Sequence, residues 1–166
     1  MAYDAARQQT VLFGGNDAVN ALTDTWLWDG TRWAQRFPAT TPPASGGAAM
    51  AYDEARQRAV RFGGDGLAET WTWDGTNWLQ AAPATTPPAR SGHAMAYDSL
   101  RQRVLLFGGF QMPTLYADTW EWDGANWLQR APVSSPPPSY GHSLAYDAAR
   151  QRMVLFQEGD TWLFLP

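Results

Sequence analysis

The feature that most constrains this chain is a motif of 45 to 49 residues that recurs four times. Ala-Tyr-Asp marks each unit, and its tyrosines are spaced by 49, 45 and 49 residues. Thr-Trp and Trp-Asp-Gly follow in the same order, with Phe164 at the second tryptophan position of the fourth unit. Repeats of roughly 40 to 50 residues are typical of propellers and solenoids, because one unit cannot bury its own faces and packs on its neighbours. The Ala-Tyr-Asp copies begin at Ala2, Ala51, Ala96 and Ala145.

The apolar residues within each unit alternate with the period of a β-strand. In the first unit, Trp26 and Trp28 are two positions apart and share one face, with Thr25 and Leu27 on the other. No segment keeps a helical period, and Gly, Pro and Asp-Gly interrupt the chain about every ten residues. We therefore predict an all-β fold with four strands, a to d, in each unit. In the third unit the predicted strands are 93–97, 104–107, 119–122 and 127–129.

Three motifs of the repeat resemble the Kelch family. In the third unit they are Arg90-Ser91-Gly92-His93 before strand a, Phe107-Gly108-Gly109 after strand b, and Trp122-Asp123 followed by Trp127 around the c–d turn. The resemblance covers essentially the whole chain, and the Thr-Trp-x-Trp-Asp-Gly variant looks like that of bacterial members. It implies a β-propeller of radially packed four-stranded blades.

We expect a single Kelch-like domain over residues 1–166, with blades at about 1–38, 45–83, 90–132 and 139–166. The first unit starts inside strand a and the last stops after strand c, which leaves about 15 antiparallel strands. Three assemblies fit this count: half of a two-chain eight-bladed ring, an unusual closed ring of four blades, and part of a longer protein. An open half-ring would expose strand edges and Trp-rich faces that invite association, so the sequence favours a homodimer.

The charge balance restricts the partners of this chain. It has 12 arginines, no lysine and 16 acidic residues, a formal charge of −4, whereas nucleic-acid and anionic-membrane surfaces need a basic excess. We therefore expect neither as a partner. The absence of lysine and cysteine excludes Schiff-base chemistry, thiol catalysis and zinc–thiolate sites, and we predict no cofactor. The sequence shows no signal peptide or membrane span and does not indicate a cellular compartment.

The connections between the predicted strands differ on the two faces of the disc. The a–b and c–d turns repeat with little change, whereas the b–c loops at 16–23, 65–68 and 110–117 differ in length. Because recognition usually uses variable loops on a rigid scaffold, we predict that a partner or ligand binds the face of the b–c loops and d–a segments. Kelch propellers that bind partners commonly use this face. The candidate contact residues are Arg90, His93, Phe110, Met112, Leu115, Tyr116, Tyr140 and His142.

Other recurring residues have a structural interpretation. An Asp-x-x-Arg series follows strand a in all four units, and such an array suits turn formation better than catalysis, which needs one site. His93 and His142 are weak candidates for metal ligands, since histidine there belongs to the Kelch pattern and the chain has no third histidine and no cysteine. All ten tryptophans align with strand positions and are expected in the core. Arg61, where other b strands have leucine, is either an edge residue or a buried pairing charge.

We expect a non-enzymatic scaffold that binds a protein or other ligand, such as a glycan, through the b–c and d–a loops, because no nucleophile–base constellation is present and no catalytic residue is assigned. Three alternatives stay open: a metal-dependent or other Kelch-propeller enzyme, a carbohydrate-binding module, and a designed or dissected repeat fragment that only self-assembles. The copper chemistry of galactose oxidase, a Kelch-propeller enzyme, is excluded because its cysteine–tyrosine crosslink needs a cysteine. Fold alone does not separate the alternatives.

Overall fold

The computed structural model describes residues 1–157 and 159–164, and these residues form strands, turns and loops with no helix. Consequently, this part of the chain contains no helical segment of the length and apolar character needed to cross a bilayer. The strands are β1 (Ala2–Asp4), β2 (Gln9–Asn16), β3 (Ala21–Trp28), β4 (Trp33–Arg36), β5 (Ala49–Asp53), β6 (Arg58–Phe62), β7 (Thr70–Trp73), β8 (Trp78–Gln80), β9 (Ala94–Asp98), β10 (Arg103–Phe107), β11 (Phe110–Gln111), β12 (Thr114–Leu115), β13 (Thr119–Trp122), β14 (Trp127–Arg130), β15 (Ser143–Asp147), β16 (Arg152–Gln157) and β17 (Asp160–Phe164).

Four antiparallel sheets form a four-bladed β-propeller arrangement, which confirms the predicted fold class. The blades are β1–β4, β5–β8, β9 with β10, β13 and β14, and β15–β17 as described. The 17 strands exceed the expected count of about 15 because β11 and β12 form a two-stranded hairpin inside the b–c loop of the third blade. In the first blade, β2 and β3 extend beyond the predicted strands and shorten the loop between them to four residues, 17–20.

The blades pack in chain order through their first strands. β1 contacts β5, β5 contacts β9, and β9 contacts β15. Among the described residues, no strand of the first blade packs to a comparable extent on a strand of the fourth. The blades therefore form an arc with two free faces, which does not support the closed ring of four. We call the free face of the first blade the leading face and that of the fourth blade the trailing face.

The Phe-Gly-Gly motifs of the second and third blades let the next inter-blade segment approach strand b closely. Gly63 and Gly108 both have a φ of +66°, a backbone conformation that favours glycine. A Cβ at Gly63 would lie 2.6 Å from the carbonyl oxygen of Arg90, and one at Gly108 would lie 2.7 Å from that of Ser139. The first glycine of the motif is thus required by the packing of adjacent blades in the second and third copies.

In the second and third blades, the tryptophan that opens strand d joins the blade to the one before it. The indole Nε1 of Trp78 donates to Thr25 Oγ1 at 3.0 Å, and Trp127 Nε1 donates to Thr70 Oγ1 at 2.8 Å. Both indoles are fully buried. The equivalent Trp33 lies on the leading face, where 44% of it is exposed. The expectation that all ten tryptophans are core residues is therefore wrong for Trp33, because no preceding blade covers it in the described chain.

The Asp-x-x-Arg series is structural. Asp4 accepts a hydrogen bond from the backbone N–H of Arg7 at 3.0 Å and pairs with its guanidinium at 2.9 Å. The same guanidinium donates to the carbonyl oxygen of Asp74 in the c–d turn of the second blade, at 2.6 Å. Arg56 repeats the pairing with Asp53 in the second blade. The structural interpretation of this array is confirmed.

Removing one hydroxyl acceptor between blades tests this packing. We expect Thr70→Val to lower the free energy of unfolding by about 1–3 kcal/mol, because the buried indole N–H of Trp127 loses its acceptor. Thr119→Val is the matched control: Thr119 is equally buried, and its hydroxyl has no hydrogen-bond partner among the described residues. Urea unfolding measures both variants. Equal losses of stability would contradict the proposed role of the indole bond.

Candidate binding site

A groove of about 480 Å³ opens on the face that carries the b–c loops and d–a segments, and we call it the loop groove. Segments from the first three blades contribute to it, so no single blade forms it. Grooves built from several loops on a rigid scaffold are common ligand sites. The lining residues are Asn16, Gly46, Gly47, Asp65, Gly66, Ser91, Gly92, Phe110, Gln111 and Met112.

Hydrogen bonds between blades hold the walls of the loop groove in place. Gly92 N–H donates to the carbonyl oxygen of Gly47 at 2.8 Å, and Asp65 N–H donates to Ser91 Oγ at 2.9 Å. Ser91 and Phe110 exchange two backbone hydrogen bonds of 2.9 Å. The groove is therefore formed before any ligand arrives, which lowers the ordering cost of binding.

Exposed apolar side chains edge the loop groove. The rings of Phe110 and Tyr140 meet edge to face, with centroids 5.1 Å apart. Tyr140 is 64% exposed, and Met112 and Leu115 project into solvent from the hairpin of β11 and β12. Such a cluster on a loop, rather than on a core face, is typical of a contact surface. Four of the eight candidate residues thus lie together at this edge.

A smaller pocket of about 250 Å³ lies beyond Tyr140 on the fourth blade. Tyr140 also contacts Phe110, so this aromatic pair separates the small pocket from the loop groove. The residues that line the small pocket are Ser139, Tyr140, Gly141, His142, Ser143, Phe156 and Gln157.

His142 lines the small pocket, but both of its ring nitrogens are engaged. Nδ1 lies 3.0 Å from Ser139 Oγ, and Nε2 lies 3.1 Å from the carbonyl oxygen of Phe107. Burial lowers the pKa of His142, and the Phe107 carbonyl opposes this shift only in part. The ring therefore fixes the start of the fourth blade, and a metal ion would have to displace one of these contacts.

His93 lies beneath the loop face rather than on it. It is buried, and its ring packs edge to face on Phe62 with centroids 5.6 Å apart. Burial, together with the positive charge of Arg90, lowers the pKa of His93 to about 3. The imidazole is therefore neutral at physiological pH and unavailable to a ligand in the groove.

Arg90 is buried behind the b–c loop of the third blade. Its guanidinium forms a two-pronged pair with Asp118, with N–O distances of 2.6 and 2.8 Å, and donates to the carbonyl oxygen of Gly108 at 2.9 Å. It also lies 4.0 Å from the ring centroid of Tyr116. Although burial alone would raise the pKa of Asp118, hydrogen bonds from Arg90 and Trp120 hold it below its ordinary value. Arg90 and Tyr116 thus support the loop and do not line the groove.

Arg61 is a buried charge rather than an edge residue. Its Nη2 donates to Ser45 Oγ, and its guanidinium lies 5.1 Å from the ring centroid of Phe13 in the first blade. Burial lowers the pKa of Arg61 to about 10, although the charges of Glu69 and Asp65 oppose the shift. Arg61 is therefore buried, as one of the two alternatives predicted, but it forms no ion pair among the described residues, and it connects the first two blades through the Phe13 ring.

The polar lining of the loop groove was not among the candidate residues. Asn16, Asp65 and Gln111 present their side chains near the groove, and Ser91 fixes its wall. The signal available in the sequence was that Asn16, Asp65 and Gln111 occupy the b–c loops whose lengths differ. Polar residues are common in loops of any function, so this signal is weaker than that of the apolar residues that depart from the repeat.

The described residues contain no group of three or more His, Cys, Asp or Glu side chains placed to hold a metal ion. The two histidines are engaged by backbone and side-chain contacts or enclosed in the core. Among the residues that line the loop groove, Asp65 alone carries a carboxylate. The chemistry that this surface offers is therefore apolar contact and hydrogen bonding.

No protein-family model matches the chain, and no curated protein matches it in sequence. The Kelch resemblance therefore stays a prediction based on the motifs of the repeat, while the propeller arrangement stands on the strand topology.

The protonation of His93 predicts a pH dependence of stability. Because its pKa is about 3 in the folded chain and 6.5 unfolded, the unfolded state binds more protons between these values. Its contribution to stability is thus complete above pH 6.5 and is lost as the pH falls toward 3. We expect His93→Gln to unfold with a shallower pH dependence than wild type over this range, by at most about 1.4 kcal/mol per pH unit.

An NMR titration of the two histidines measures the same property directly. The ring of His93 is expected to stay neutral well below pH 6.5. A His93 pKa near 6.5 in the folded chain would contradict the buried placement.

The Arg90–Asp118 pair predicts a large effect of one substitution. Arg90→Met should lower the free energy of unfolding by about 3–5 kcal/mol, because it leaves the Asp118 carboxylate without its buried partner. Arg32→Met is the control, since Arg32 pairs with Asp29 on the surface and its loss should cost less than about 1 kcal/mol. Chemical denaturation separates the two. Similar costs would show that Arg90 does not have the structural role assigned to it.

Proposed function

We propose that this chain is a non-enzymatic binding module that recognises a protein segment through the loop groove. The observation that carries the proposal is the joining of loops from three blades into one preformed groove, edged by half-buried Phe110 and by exposed Met112 and Tyr140. The apolar side chains at the edge of this groove lie outside the hydrophobic core clusters between the sheets, so the core does not account for them. Exposed aromatic and methionine side chains are enriched at protein interfaces.

The chemistry of the groove defines the segment that fits it. Phe110 and Met112 offer an apolar surface to one side chain of the partner. The amides of Asn16 and Gln111 can donate to and accept from an extended backbone, and the Asp65 carboxylate favours a donor or a positive charge. We therefore expect a segment that combines an apolar anchor with a neighbouring amide or basic residue.

A carbohydrate is the second candidate ligand. The open ring of Tyr140, which lines the small pocket together with the hydroxyl and amide groups of Ser139, Ser143 and Gln157, supports it, because sugars stack on exposed aromatic faces and bond to amides. The arrangement of the tryptophans favours it less. Trp33 is strongly exposed, but it lies on the leading face and is not among the groove residues.

A peptide selection tests the proposed function. A phage library of random dodecapeptides is panned against the immobilised chain, and the selected peptides are titrated by fluorescence anisotropy. Phe110→Ala and Met112→Ala should each weaken binding by about tenfold or more, because each removes part of the anchor surface. Leu128→Ala is the control: Leu128 is an exposed apolar residue on β14, outside the groove, and binding should be unchanged.

Two results would contradict the proposal. One is a set of selected peptides whose affinity is insensitive to both groove variants. The other is binding on a glycan array that Tyr140→Ala abolishes, with no peptide selected, which would assign the groove to a sugar instead.

A further inference from the structure

The two internal boundaries that join the first three blades share one set of contacts. The strand b phenylalanine packs edge to face on the strand d tryptophan of the next blade, with ring centroids 5.2 Å apart for Phe13 and Trp78 and 5.3 Å for Phe62 and Trp127. The same tryptophan donates to the strand c threonine of the preceding blade. Each of these two boundaries therefore places an indole between a phenylalanine ring and a threonine hydroxyl.

An arginine completes each of these two boundaries on the opposite side of the disc from the loop groove. Arg7 reaches the c–d turn of the second blade, where a Cβ added at Gly75 would lie 2.3 Å from its guanidinium nitrogen Nε. Arg56 occupies the same place against Gly124 in the third blade, where that distance is 2.0 Å. The glycine of each Asp-Gly turn thus leaves room for an arginine from the preceding blade.

The leading face carries the half of this set that an internal boundary takes from the following blade, namely the strand d tryptophan and the turn glycine. Trp33 is exposed, although its equivalents Trp78 and Trp127 are fully buried. Nothing described lies within 4 Å of a Cβ built on Gly30, the counterpart of Gly75. Tyr3 is also exposed, whereas its equivalent in the second blade is buried against the first.

The trailing face carries the half that an internal boundary takes from the preceding blade, namely the strand b phenylalanine, the strand c threonine and the arginine. Phe156 is 54% exposed, whereas Phe62 and Phe107 are fully buried. Thr161 is exposed as well, in contrast to its buried equivalents. The side chain of Arg150 pairs with Asp147 but is 65% exposed, about twice the exposure of Arg56. Each unoccupied position on one free face therefore has its counterpart on the other.

We propose that the trailing face of one copy of this chain binds the leading face of a second copy, with the second copy's Trp33 seated between Phe156 and Thr161. Trp33 Nε1 then donates to Thr161 Oγ1, and Arg150 extends over Gly30 to the carbonyl oxygen of Asp29. These are the contacts that the internal boundaries already make. This proposal does not depend on the ligand of the loop groove.

Two copies are the number that closes the assembly. The faces that meet are different, so the contact is head to tail, and such contacts form a ring when the rotation closes. Propellers have about four to eight blades, and because one copy forms an open arc of four, two copies with eight blades are the ring that stays within this range. In such a ring both boundaries are the same, and neither free face stays exposed.

Light scattering with size exclusion tests the assembly. We expect a mass of about 37 kDa at micromolar concentration, twice the 18.4 kDa of one chain. Trp33→Ala should raise the dissociation constant by at least roughly 30-fold, as loss of a central indole does in other interfaces. Leu128→Ala, an exposed residue away from both free faces, should leave it unchanged.

Crosslinking identifies the faces that meet. The natural chain has no cysteine, so Thr31→Cys and Ala148→Cys, both exposed turn positions on the leading and trailing blades, can be mixed and treated with a short bis-maleimide. A crosslinked heterodimer is expected from this pair but not from Thr31→Cys with Leu128→Cys. Neither variant removes a proposed contact, so the test stays valid if Trp33→Ala proves unstable.

Three outcomes would overturn the proposal. A mass of one chain at every concentration would show that the free faces do not bind each other. A mass that grows steadily with concentration would indicate open chains rather than a closed pair. Equal crosslinking of the control pair would place the contact elsewhere.

Discussion

The structure depends on one repeated interaction, the insertion of a strand d tryptophan between a phenylalanine ring and a threonine hydroxyl of the preceding blade. No blade can bury this indole by itself, because the ring points out of its own sheet. Trp78 and Trp127 are fully buried only through their neighbours, and each finds its single N–H acceptor there. The indole therefore holds the first three blades in order and fixes the spacing between them.

This arrangement divides the molecule into two surfaces with different tasks. Arginines such as Arg7 hold the a–b and c–d turns of adjacent blades together, which leaves little freedom for variation on that side. On the other side, glycines such as Gly63 and Gly108 let the segments cross close to the strands, and the loops beyond them differ in length and sequence. A rigid scaffold with one variable side is suited to binding, and the loop groove lies on that side.

The fold was accessible from the sequence because its signals are local and repeated. Apolar residues alternate within the strands, and Asp-Gly marks the c–d turn, so a single unit already indicates its strands and turns. The recurrence of the unit in four copies makes this assignment unambiguous. The site was accessible only in part. Phe110, Met112 and Tyr140 were found because they depart from the repeat, but Arg90 also departs from it and lies in a buried pair with Asp118, 28 residues away. Sequence alone does not show whether a residue that departs from the repeat is exposed or buried, since burial depends on contacts between distant residues.

A double-mutant cycle on Trp127 and Thr70 tests the central claim most directly. Trp127→Phe, Thr70→Val and the double variant are unfolded in urea, and the coupling energy isolates the contact between the two side chains. The contact described here predicts a coupling of about 1 kcal/mol, the usual value for one buried hydrogen bond. A coupling of zero would mean that the indole does not join the blades, and the repeated boundary would lose its physical basis.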